Sequence, residues 1–337
     1  MKKLLFLFFT ILFCSSLHAQ DAYNLVFSDE FDGTTLDLSK WNIQSGYAAN
    51  QEKEYYTAGG NNIRLENGNL VITGKKEQAV PDRNYSSGRI NSQGKGYVKY
   101  GKIEARISVP SGAGTWPAFW MMPQTNVYGG WPKSGEIDIM EHIGSDPRMT
   151  SHAVHTANKN GSLGNNWFNR QYKDSMENKF HVYSVIWGPD DMKFYIDNVK
   201  SVTLYRNFTE DYKGWPFDQP FYVILNLALG GTMGGAINDA IFDSPLEMKV
   251  DYVRVYQTTS TALNTLHENQ VQVYPTLITN EIRVKSETPS RVMLFNSLGK
   301  LLLNRQINGD ETIQTGTLSA GIYFLKTGAT SVKLIKN

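Results

Sequence analysis

From residue 23 onward the sequence is divided into short stretches in which apolar and polar residues alternate, separated by Gly, Asn and Asp. Asn67-Gly68, between two such stretches, is a strong signal for a β-hairpin. In a later stretch Lys102, Glu104 and Arg106 alternate with apolar residues, which predicts a strand with a solvated outer face. No segment has ten or more residues with a clean helical period. The sequence therefore predicts an all-β fold of the sandwich type.

One predicted strand carries an unusual set of acids. Gly135 to Gly144 reads GEIDIMEHIG, so Glu136, Asp138 and Glu141 stand among apolar residues. Alternation places the first two acids on one face, but the next residue on that face is Met140 rather than Glu141. A β-bulge, with one extra residue at Met140 or the position before it, would return Glu141 to the acidic face. Three acids on one face repel one another, so an ordinary solvated strand explains them poorly.

Glycoside hydrolysis is a reaction that uses such acids. It needs one ionised and one protonated carboxyl group beside the scissile bond, roughly 5–5.5 Å apart in retaining enzymes. Four or five extended residues span roughly 13–16 Å of backbone. Glu136 and Glu141 can therefore serve only if strand twist, the bulge and their flexible side chains bring the carboxyl groups together. Asp138, between them, would share a proton or a hydrogen bond with one neighbour and separate the two pKa values.

The acid stretch, preceded by WPAFWMM at Trp116 to Met122, resembles the active-site signature of glycoside hydrolase family 16. More narrowly, its E-x-D-x-x-E spacing resembles the laminarinase-like branch. The resemblance covers about residues 21 to 257. It implies a concanavalin A-like β-jelly-roll and a retaining endo-acting hydrolase of laminarin-type β-1,3-glucan, without a cofactor for catalysis. It also implies that Glu136 is the nucleophile, Asp138 its assisting partner and Glu141 the acid/base.

The same resemblance implies a set of sugar-binding residues. Trp116 and Trp120 would line the floor of a cleft and Trp131, from a loop, would help wall it, because aromatic planes match the apolar faces of pyranose rings. Core packing is the alternative for each of these tryptophans. For Arg89 the alternative is a structural ion pair, and for Asn226 a satisfied core amide. The polar candidates for contact with sugar or with the acids are Asn50, Arg89, His155 and Asn226.

Many members of this family carry a calcium ion far from the acids. Here the resemblance implies ligands from Glu30, the carbonyl of Gly68 and Asp251, and oxygen donors of this kind suit a hard cation. The alternative is that the two acids cap turns. Such an ion would stabilise the fold only. The sequence lacks the H-E-x-x-H motif of zinc hydrolases, and the spacing of His152 and His155 does not suit a strand-borne metal pair.

The N-terminus predicts export. Residues 1–19 combine two lysines, an apolar run from Leu4 to Cys14 and small or polar residues up to Ala19, which is the pattern of a secretory signal peptide. The apolar run is too short for a membrane span. Cys14 is the one cysteine of the sequence, so cleavage after Ala19 would leave no thiol. A lipoprotein signal at Cys14 is the alternative, but Phe13 before it is too bulky for such processing.

The sequence of the C-terminal part predicts a second domain, which also acts in export. Residues 258–267 are polar and lack any period, which predicts a linker between a catalytic domain of residues 20–257 and a small β-sandwich domain of residues 268–337. The latter resembles the C-terminal sorting domain of type IX secretion, although the usual Tyr-Pro-Asn-Pro opening is replaced by Tyr274-Pro275-Thr276-Leu277. A sugar-binding module is the alternative, but this part contains no Trp.

Charge narrows the range of partners. The sequence has 33 basic and 32 acidic residues, and this near-neutral balance argues against nucleic acid or an anionic membrane as partner. Taken with the two resemblances and the predicted signal peptide, this balance leads us to expect a monomeric protein, secreted or at the cell surface and without a membrane span, that binds β-glucan and the type IX machinery. The alternatives are hydrolysis of mixed-linkage glucan or of an algal galactan, as by agarases and carrageenases, and non-catalytic β-glucan binding, in which the acids are typically lost.

Overall fold

The structure is a computed structural model that describes residues 23–47, 49–58, 60, 62–174, 176–258, 272–286, 289–327 and 330–336. We call residues 23–258 the large domain and residues 272–336 the tail domain. The predicted signal peptide lies outside the described residues. So does the predicted linker except for Thr258, which belongs to the last strand of the large domain.

The described part of the large domain is built almost entirely from strands, with short helical turns at Gly161–Leu163, at Gly231–Gly234 (α1) and at Asp239–Phe242. Its strands are β1 (Tyr23–Asp29), β2 (Asn42–Ile43), β3 (Gly46–Tyr47), β4 (Glu54–Tyr56), β5 (Ile63–Glu66), β6 (Asn69–Val80), β7 (Arg83–Ser87), β8 (Arg89–Asn91), β9 (Tyr97–Val98), β10 (Gly101–Ser108), β11 (Thr115–Pro123), β12 (Glu136–His142), β13 (Met149–His155), β14 (Trp167–Tyr172), β15 (Phe180–Trp187), β16 (Asp191–Ile196), β17 (Val199–Tyr205), β18 (Phe221–Leu229) and β19 (Leu246–Thr258).

These strands form two sheets. The larger sheet has the order β17-β16-β15-β10-β19-β6-β7-β4-β3, with β1 paired to β19 and β5 paired to β6. The second sheet has the order β14-β13-β12-β11-β18-β8-β2, with β9 paired to β18. Strands distant in sequence are neighbours in both sheets, for example β10 and β19 or β11 and β18. The large domain is thus the predicted all-β jelly-roll sandwich.

The hydrophobic core lies between the two sheets. From the second sheet it takes alternate residues, such as Phe119, Ile137, Leu225 and Leu227, all fully buried. Burying a side chain of this size contributes roughly 1.5–3 kcal/mol, and a slip of one residue would turn every inward side chain outward. Packing of the inner face therefore fixes which residues the second sheet presents on its other face.

The outer face of β10 differs from the prediction. Glu104 is only 6% exposed and not solvated. Its carboxylate pairs with Lys102 at 2.6 Å, and the Tyr256 hydroxyl lies 3.4 Å from it. Arg106 is half-buried and pairs with Asp251 at 2.7 Å. The prediction of a solvated face is wrong for Glu104 because β10 lies inside the sheet, where long side chains of the neighbouring strands cover it.

The tail domain forms two smaller sheets with their own core of Ile282, Val284, Leu294, Leu325 and Leu334. None of the helices among the described residues is long and apolar enough to span a membrane. The sheet orders are β20-β22-β25 and β21-β27-β26-β23-β24, and the strands are β20 (Gln272–Tyr274), β21 (Leu277–Ile278), β22 (Glu281–Lys285), β23 (Ser290–Asn296), β24 (Leu301–Ile307), β25 (Asp310–Gln314), β26 (Gly321–Thr327) and β27 (Thr330–Lys336).

Gly144 ends the acid stretch and anchors it to the start of β11. Its N–H donates to the carbonyl of Thr115 at 3.0 Å, and its own carbonyl accepts from the N–H of Gly112 at 3.0 Å. A Cβ at this position would overlap with the Thr115 hydroxyl and the Gly112 carbonyl. We expect Gly144→Ala to lower the free energy of unfolding by roughly 1–3 kcal/mol, the usual cost of overpacking.

Urea denaturation followed by tryptophan fluorescence measures this change in the large domain alone, because every Trp precedes residue 258. Gly130→Ala is the matched control, since a Cβ at Gly130 meets open space, and it should change the free energy of unfolding by less than about 0.5 kcal/mol. Equal stability of the two variants would contradict the tight contact at Gly144.

Candidate active site

A bulge in β12 brings the acids onto one face. Toward β11 the paired residues of β12 jump from Asp138 to Met140 and leave Ile139 unpaired. Toward β13 the register shifts between Asp138 and Glu141. The imidazole of His152 fills the gap, since its Nδ1 lies 2.6 Å from the carbonyl of Ile139. The predicted bulge is confirmed, and both residues at the predicted positions are fully buried in the core.

The strand register collects most of the predicted residues on the outer face of the second sheet. Directly opposed residues of antiparallel strands share a face. Glu136 lies opposite His155, Asp138 opposite Trp120, and Ala118 opposite both Glu141 and Asn226. Arg89 is in turn opposite Asn226. The predicted residues that this face brings together are Glu136, Asp138, Glu141, His155, Arg89, Trp116, Trp120 and Asn226, while Asn50 and Trp131 come from loops.

Two indole groups hold the outer acids. Trp131 Nε1 donates to Glu136 Oε2 at 2.6 Å, and Trp116 Nε1 donates to Glu141 Oε1 at 3.0 Å. Each acid therefore has one oxygen engaged by an indole. Trp131 is 44% exposed, so core packing is excluded for it, whereas Trp116 is largely buried beneath the acids.

His155 lies beside the acids, as the resemblance implied. Its Nδ1 accepts the N–H of Gly161 at 3.0 Å, so Nε2 carries the proton. Nε2 lies 3.3 Å from Asp138 Oδ2 and 3.9 Å from Glu136 Oε1. The donor atoms of these three residues lie within 4.8 Å of one another, the one cluster in the described part of the chain that could also hold a metal ion.

Burial dominates the electrostatics of the three acids. It raises the pKa of Glu136 to about 8, an effect to which the charge of Asp138 adds. It raises the pKa of Glu141 to about 7, with the charge of Glu136 as the second cause, and the pKa of Asp138 well above its usual value. His155 and the two indole donors oppose these increases. At neutral pH the trio therefore retains protons that exposed carboxyls would have lost, and it titrates as a unit.

Trp120, Asn226 and Arg89 lie side by side on the same face. Trp120 Nε1 donates to Asn226 Oδ1 at 2.7 Å, and Asn226 Nδ2 donates to the hydroxyl of Tyr56 at 3.1 Å. The guanidinium of Arg89 lies 4.8 Å from the centre of the Trp120 ring. Its Nε is buried, and no hydrogen-bond partner for it is found in the described part of the chain. Asn226 is thus a satisfied amide. It also belongs to the outer face of the second sheet that carries the acids, which we call the acid-bearing face.

Asn50 lies at the edge of this face on the loop before β4. Its backbone is left-handed, with φ of 56°, and its carbonyl accepts the N–H of Thr232 at 2.9 Å. The side-chain Nδ2 lies 3.4 Å from Glu52 Oε1. The side chain is exposed and accessible to a ligand.

Tyr222 is a residue of this face that the sequence analysis missed. It stands on β18 four residues before Asn226, so alternation places the two on the same face. Burial raises its pKa, the charge of Arg89 lowers it and that of Glu136 raises it, which places the phenol near both groups. The alternation of residues in PFYVILNLAL, Pro220 to Leu229, could have revealed that Tyr222 shares a face with Asn226.

Of the predicted calcium ligands, both acids already pair with arginines. Glu30 accepts two hydrogen bonds from Arg254, at 2.9 and 2.7 Å, and these bonds lower its pKa. Asp251 accepts one from Arg106 at 2.7 Å. Both oxygens of Glu30 are thus engaged by Arg254, whereas Asp251 uses only Oδ2 for Arg106. Calcium bound by these acids and the Gly68 carbonyl stays a prediction.

Comparison with known proteins identifies the family. Residues 50–254 match the model of glycosyl hydrolases family 16. The chain belongs to this family. Residues 272–337 match a second model, the secretion system C-terminal sorting domain. Two independent parts of the sequence thus correspond to the two domains of the structure, and the family match includes every predicted catalytic and sugar-binding residue.

Proteins similar to this chain include a glucan endo-1,3-beta-glucosidase A1 from Niallia circulans, 39% identical over 69% of this chain. A keratan-sulfate endo-1,4-beta-galactosidase from Sphingobacterium multivorum is 38% identical over 70% of it. The matches span only 38% and 55% of the lengths of these two relatives. The crystal structure of the laminarinase from Rhodothermus marinus superposes with a TM-score of 0.67 at 39% identity, covering 70% of this chain and 98% of that one.

The raised pKa of Glu136 predicts a dependence of stability on pH. Below its unfolded pKa of 4.5 the carboxyl is protonated in both states. As pH rises from 4.5 to about 8 the unfolded chain loses this proton first, so the free energy of unfolding falls. Glu136→Gln removes the titration. We expect it to raise Tm relative to wild type by several degrees more at pH 8 than at pH 4, since each kcal/mol shifts Tm by about 2–4 °C.

Differential scanning calorimetry at the two pH values measures this difference, and any pH-independent effect of the substitution cancels. Asp174→Asn, at an exposed position, is the control and should show no comparable change with pH. A Tm difference for Glu136→Gln that is the same at both pH values would refute the destabilising effect of the buried carboxyl.

Proposed function

We propose that the protein is an exported endo-acting β-glucanase that cleaves laminarin-type β-1,3-glucan with retention of configuration. The observation that carries this proposal is the bulged strand, which presents Glu136 and Glu141 on one face, each held by an indole N–H. The side chain of Glu136 is 16% exposed and that of Asp138 only 4%. A ligand from solvent can therefore reach Glu136 more readily than Asp138, and Glu141, at 7% exposed, is also largely covered.

In this mechanism Glu136 attacks the anomeric carbon and Glu141 protonates the leaving oxygen. Trp131 engages Oε2 of Glu136 and Trp116 engages Oε1 of Glu141, so each carboxyl has one oxygen that no indole holds. Water then resolves the glycosyl-enzyme, with Glu141 acting as base. The result is two displacements and net retention.

Asp138 and His155 adjust the proton distribution. The reaction needs Glu136 ionised and Glu141 protonated. Burial and the charge of Asp138 raise the pKa of Glu136, whereas His155 and Trp131 favour its ionised form. Burial and the charge of Glu136 raise the pKa of Glu141, so an ionised Glu136 itself helps to keep the proton on Glu141.

Two comparisons support the β-1,3-glucan substrate. The relative from Niallia circulans is named for endo-1,3-β-glucan cleavage, and the superposed structure is a laminarinase. A sulfated or galactose-based glycan is the second candidate, because the relative from Sphingobacterium multivorum is named for keratan sulfate. The near-neutral charge of the chain favours the uncharged glucan. Because all three acids are present, catalysis is favoured over non-catalytic binding.

We expect Glu136→Ala and Glu141→Ala each to lower kcat on laminarin by several orders of magnitude while the protein stays folded, because each removes a group that acts on the reacting atoms. A reducing-sugar assay measures the loss, with Asp174→Asn as the matched control at an exposed acid. Near wild-type hydrolysis by either alanine variant would overturn the assignment.

The same assay on laminarin, lichenan, agarose and keratan sulfate distinguishes the candidate substrates. NMR of the first product tests retention, since a retaining enzyme releases the β-anomer before mutarotation. Initial appearance of the α-anomer would contradict the double displacement.

We also propose that the tail domain directs export through type IX secretion machinery to the outside of the cell. The match of residues 272–337 to a sorting domain supports this. In a bacterium that has this secretion system, a chain without residues 268–337 should remain inside the cell envelope, whereas the full chain should reach the surface or the medium. Fractionation followed by immunoblotting measures the difference. Export of the shortened chain in equal amount would contradict the proposal.

A further inference from the structure

A line of hydrogen-bonded side chains leads from the acid-bearing face into the protein. Trp120 Nε1 donates to Asn226 Oδ1 at 2.7 Å, and Asn226 Nδ2 donates to the Tyr56 hydroxyl at 3.1 Å. The Tyr56 hydroxyl donates in turn to Glu52 Oε2 at 3.0 Å. We call Trp120, Asn226, Tyr56 and Glu52 the wall network. Its donors all point the same way, so it ends on an acceptor, and Oε2 of Glu52 is that acceptor.

Glu52 also connects this network to the loop at the edge of the face. Its second oxygen, Oε1, lies 3.4 Å from Nδ2 of Asn50. Its backbone forms an isolated bridge with Gly230, just beyond β18. Glu52 is 8% exposed and Tyr56 1% exposed, so water does little to orient either group. One carboxylate thus holds the amide of Asn50 and, through Tyr56, the side chains of Asn226 and Trp120.

Glu54 lies next to Glu52 and is fully buried. Its Oε2 accepts the N–H of Leu229 at 2.8 Å, and its Oε1 has no hydrogen-bond partner in the described part of the chain. Burial and then the charge of Glu52 raise the pKa of Glu54 to about 8. Burial therefore favours the protonated form of Glu54. The other titratable groups near this pair are Tyr56 and Arg89.

We propose that Glu52 is a positioning residue for substrate, which fixes Trp120 and Asn226 through the wall network and Asn50 through a direct contact. This role in substrate binding rests on the function proposed above, whereas the network itself does not. Trp120 lies opposite Asp138 in the strand register. A change in the orientation of its indole therefore moves a surface directly beside the acids, where small displacements impair binding and reaction.

The two glutamates differ in what an amide can replace. In Glu54→Gln the amide oxygen can still accept the N–H of Leu229, so this substitution is a matched control at a neighbouring buried glutamate. In Glu52→Gln one acceptor oxygen becomes a donor, although Tyr56 and Asn50 both offer hydrogens to this side chain. A role that depended only on size and burial would make the two substitutions equivalent.

The first measurement is the NMR signal of the Trp120 indole N–H in protein labelled with ¹⁵N-tryptophan, assigned by its loss in Trp120→Phe. We expect Glu52→Gln and Tyr56→Phe to shift this signal and Glu54→Gln to leave it in place. The signals of the other six tryptophans report whether each variant is folded. Tyr56→Phe removes a single hydroxyl and decides the question if Glu52→Gln does not fold.

The second measurement is KM and kcat on the glucan. We expect KM to rise by about tenfold in Glu52→Gln and Tyr56→Phe, the effect of one lost buried hydrogen bond, with kcat within about threefold and Glu54→Gln close to wild type. A Trp120 signal and a KM that are unchanged in Tyr56→Phe would overturn the proposal, and so would equal damage by the two glutamine substitutions. A wild-type protein inactive on every glycan would refute the proposed function alone, because the NMR measurement still tests the network.

Discussion

Burial of one face of β12 is the constraint from which the site follows. Ile137, Ile139 and Met140 are fully buried in the core between the sheets, and two of them are adjacent in sequence. A regular strand cannot point neighbouring side chains to the same side, so the bulge follows from the hydrophobic sequence itself. Once it forms, Glu136 and Glu141 have to emerge on the opposite face. Packing of the core thereby fixes the positions of these two acids, although the acids lie outside the core.

The acids in turn work against stability. Three carboxyls in one small, largely buried region repel one another, and burial makes each harder to ionise. Their partners reduce this cost without neutralising it, because Trp131 and Trp116 donate hydrogen bonds but carry no charge. An arginine in their place would lower the acid pKa values and remove the reactive protons. Uncharged hydrogen-bond donors therefore suit a site whose carboxyl groups have to remain partly protonated and still transfer protons.

Reasoning from the sequence predicted correctly those features that depend on the alternation of side chains between the two faces of a strand. The acid-bearing face, the bulge and the common face of Trp116 and Trp120 all follow from spacing within one or two strands. It failed where the cause lies in distant parts of the chain. Glu104 is covered because β10 lies between β15 and β19, which no local pattern shows. The role of Tyr56 depends on a contact with Asn226, 170 positions away, so the segment containing it reads simply as a strand.

The tryptophans show how one residue type can serve both the fold and a ligand. Trp116, Trp120 and Trp131 each direct the indole N–H to a side-chain oxygen of the acid-bearing face. These bonds fix the edge of each ring and so set the direction of its flat surface. For Trp120 one such surface meets the guanidinium of Arg89. A sugar that stacks on an indole needs a ring whose orientation is fixed in advance, because ordering it on binding would cost entropy. The hydrogen bond at the polar edge of each indole thus orients its apolar surface, which explains why acids, amides and indoles occur together on this sheet.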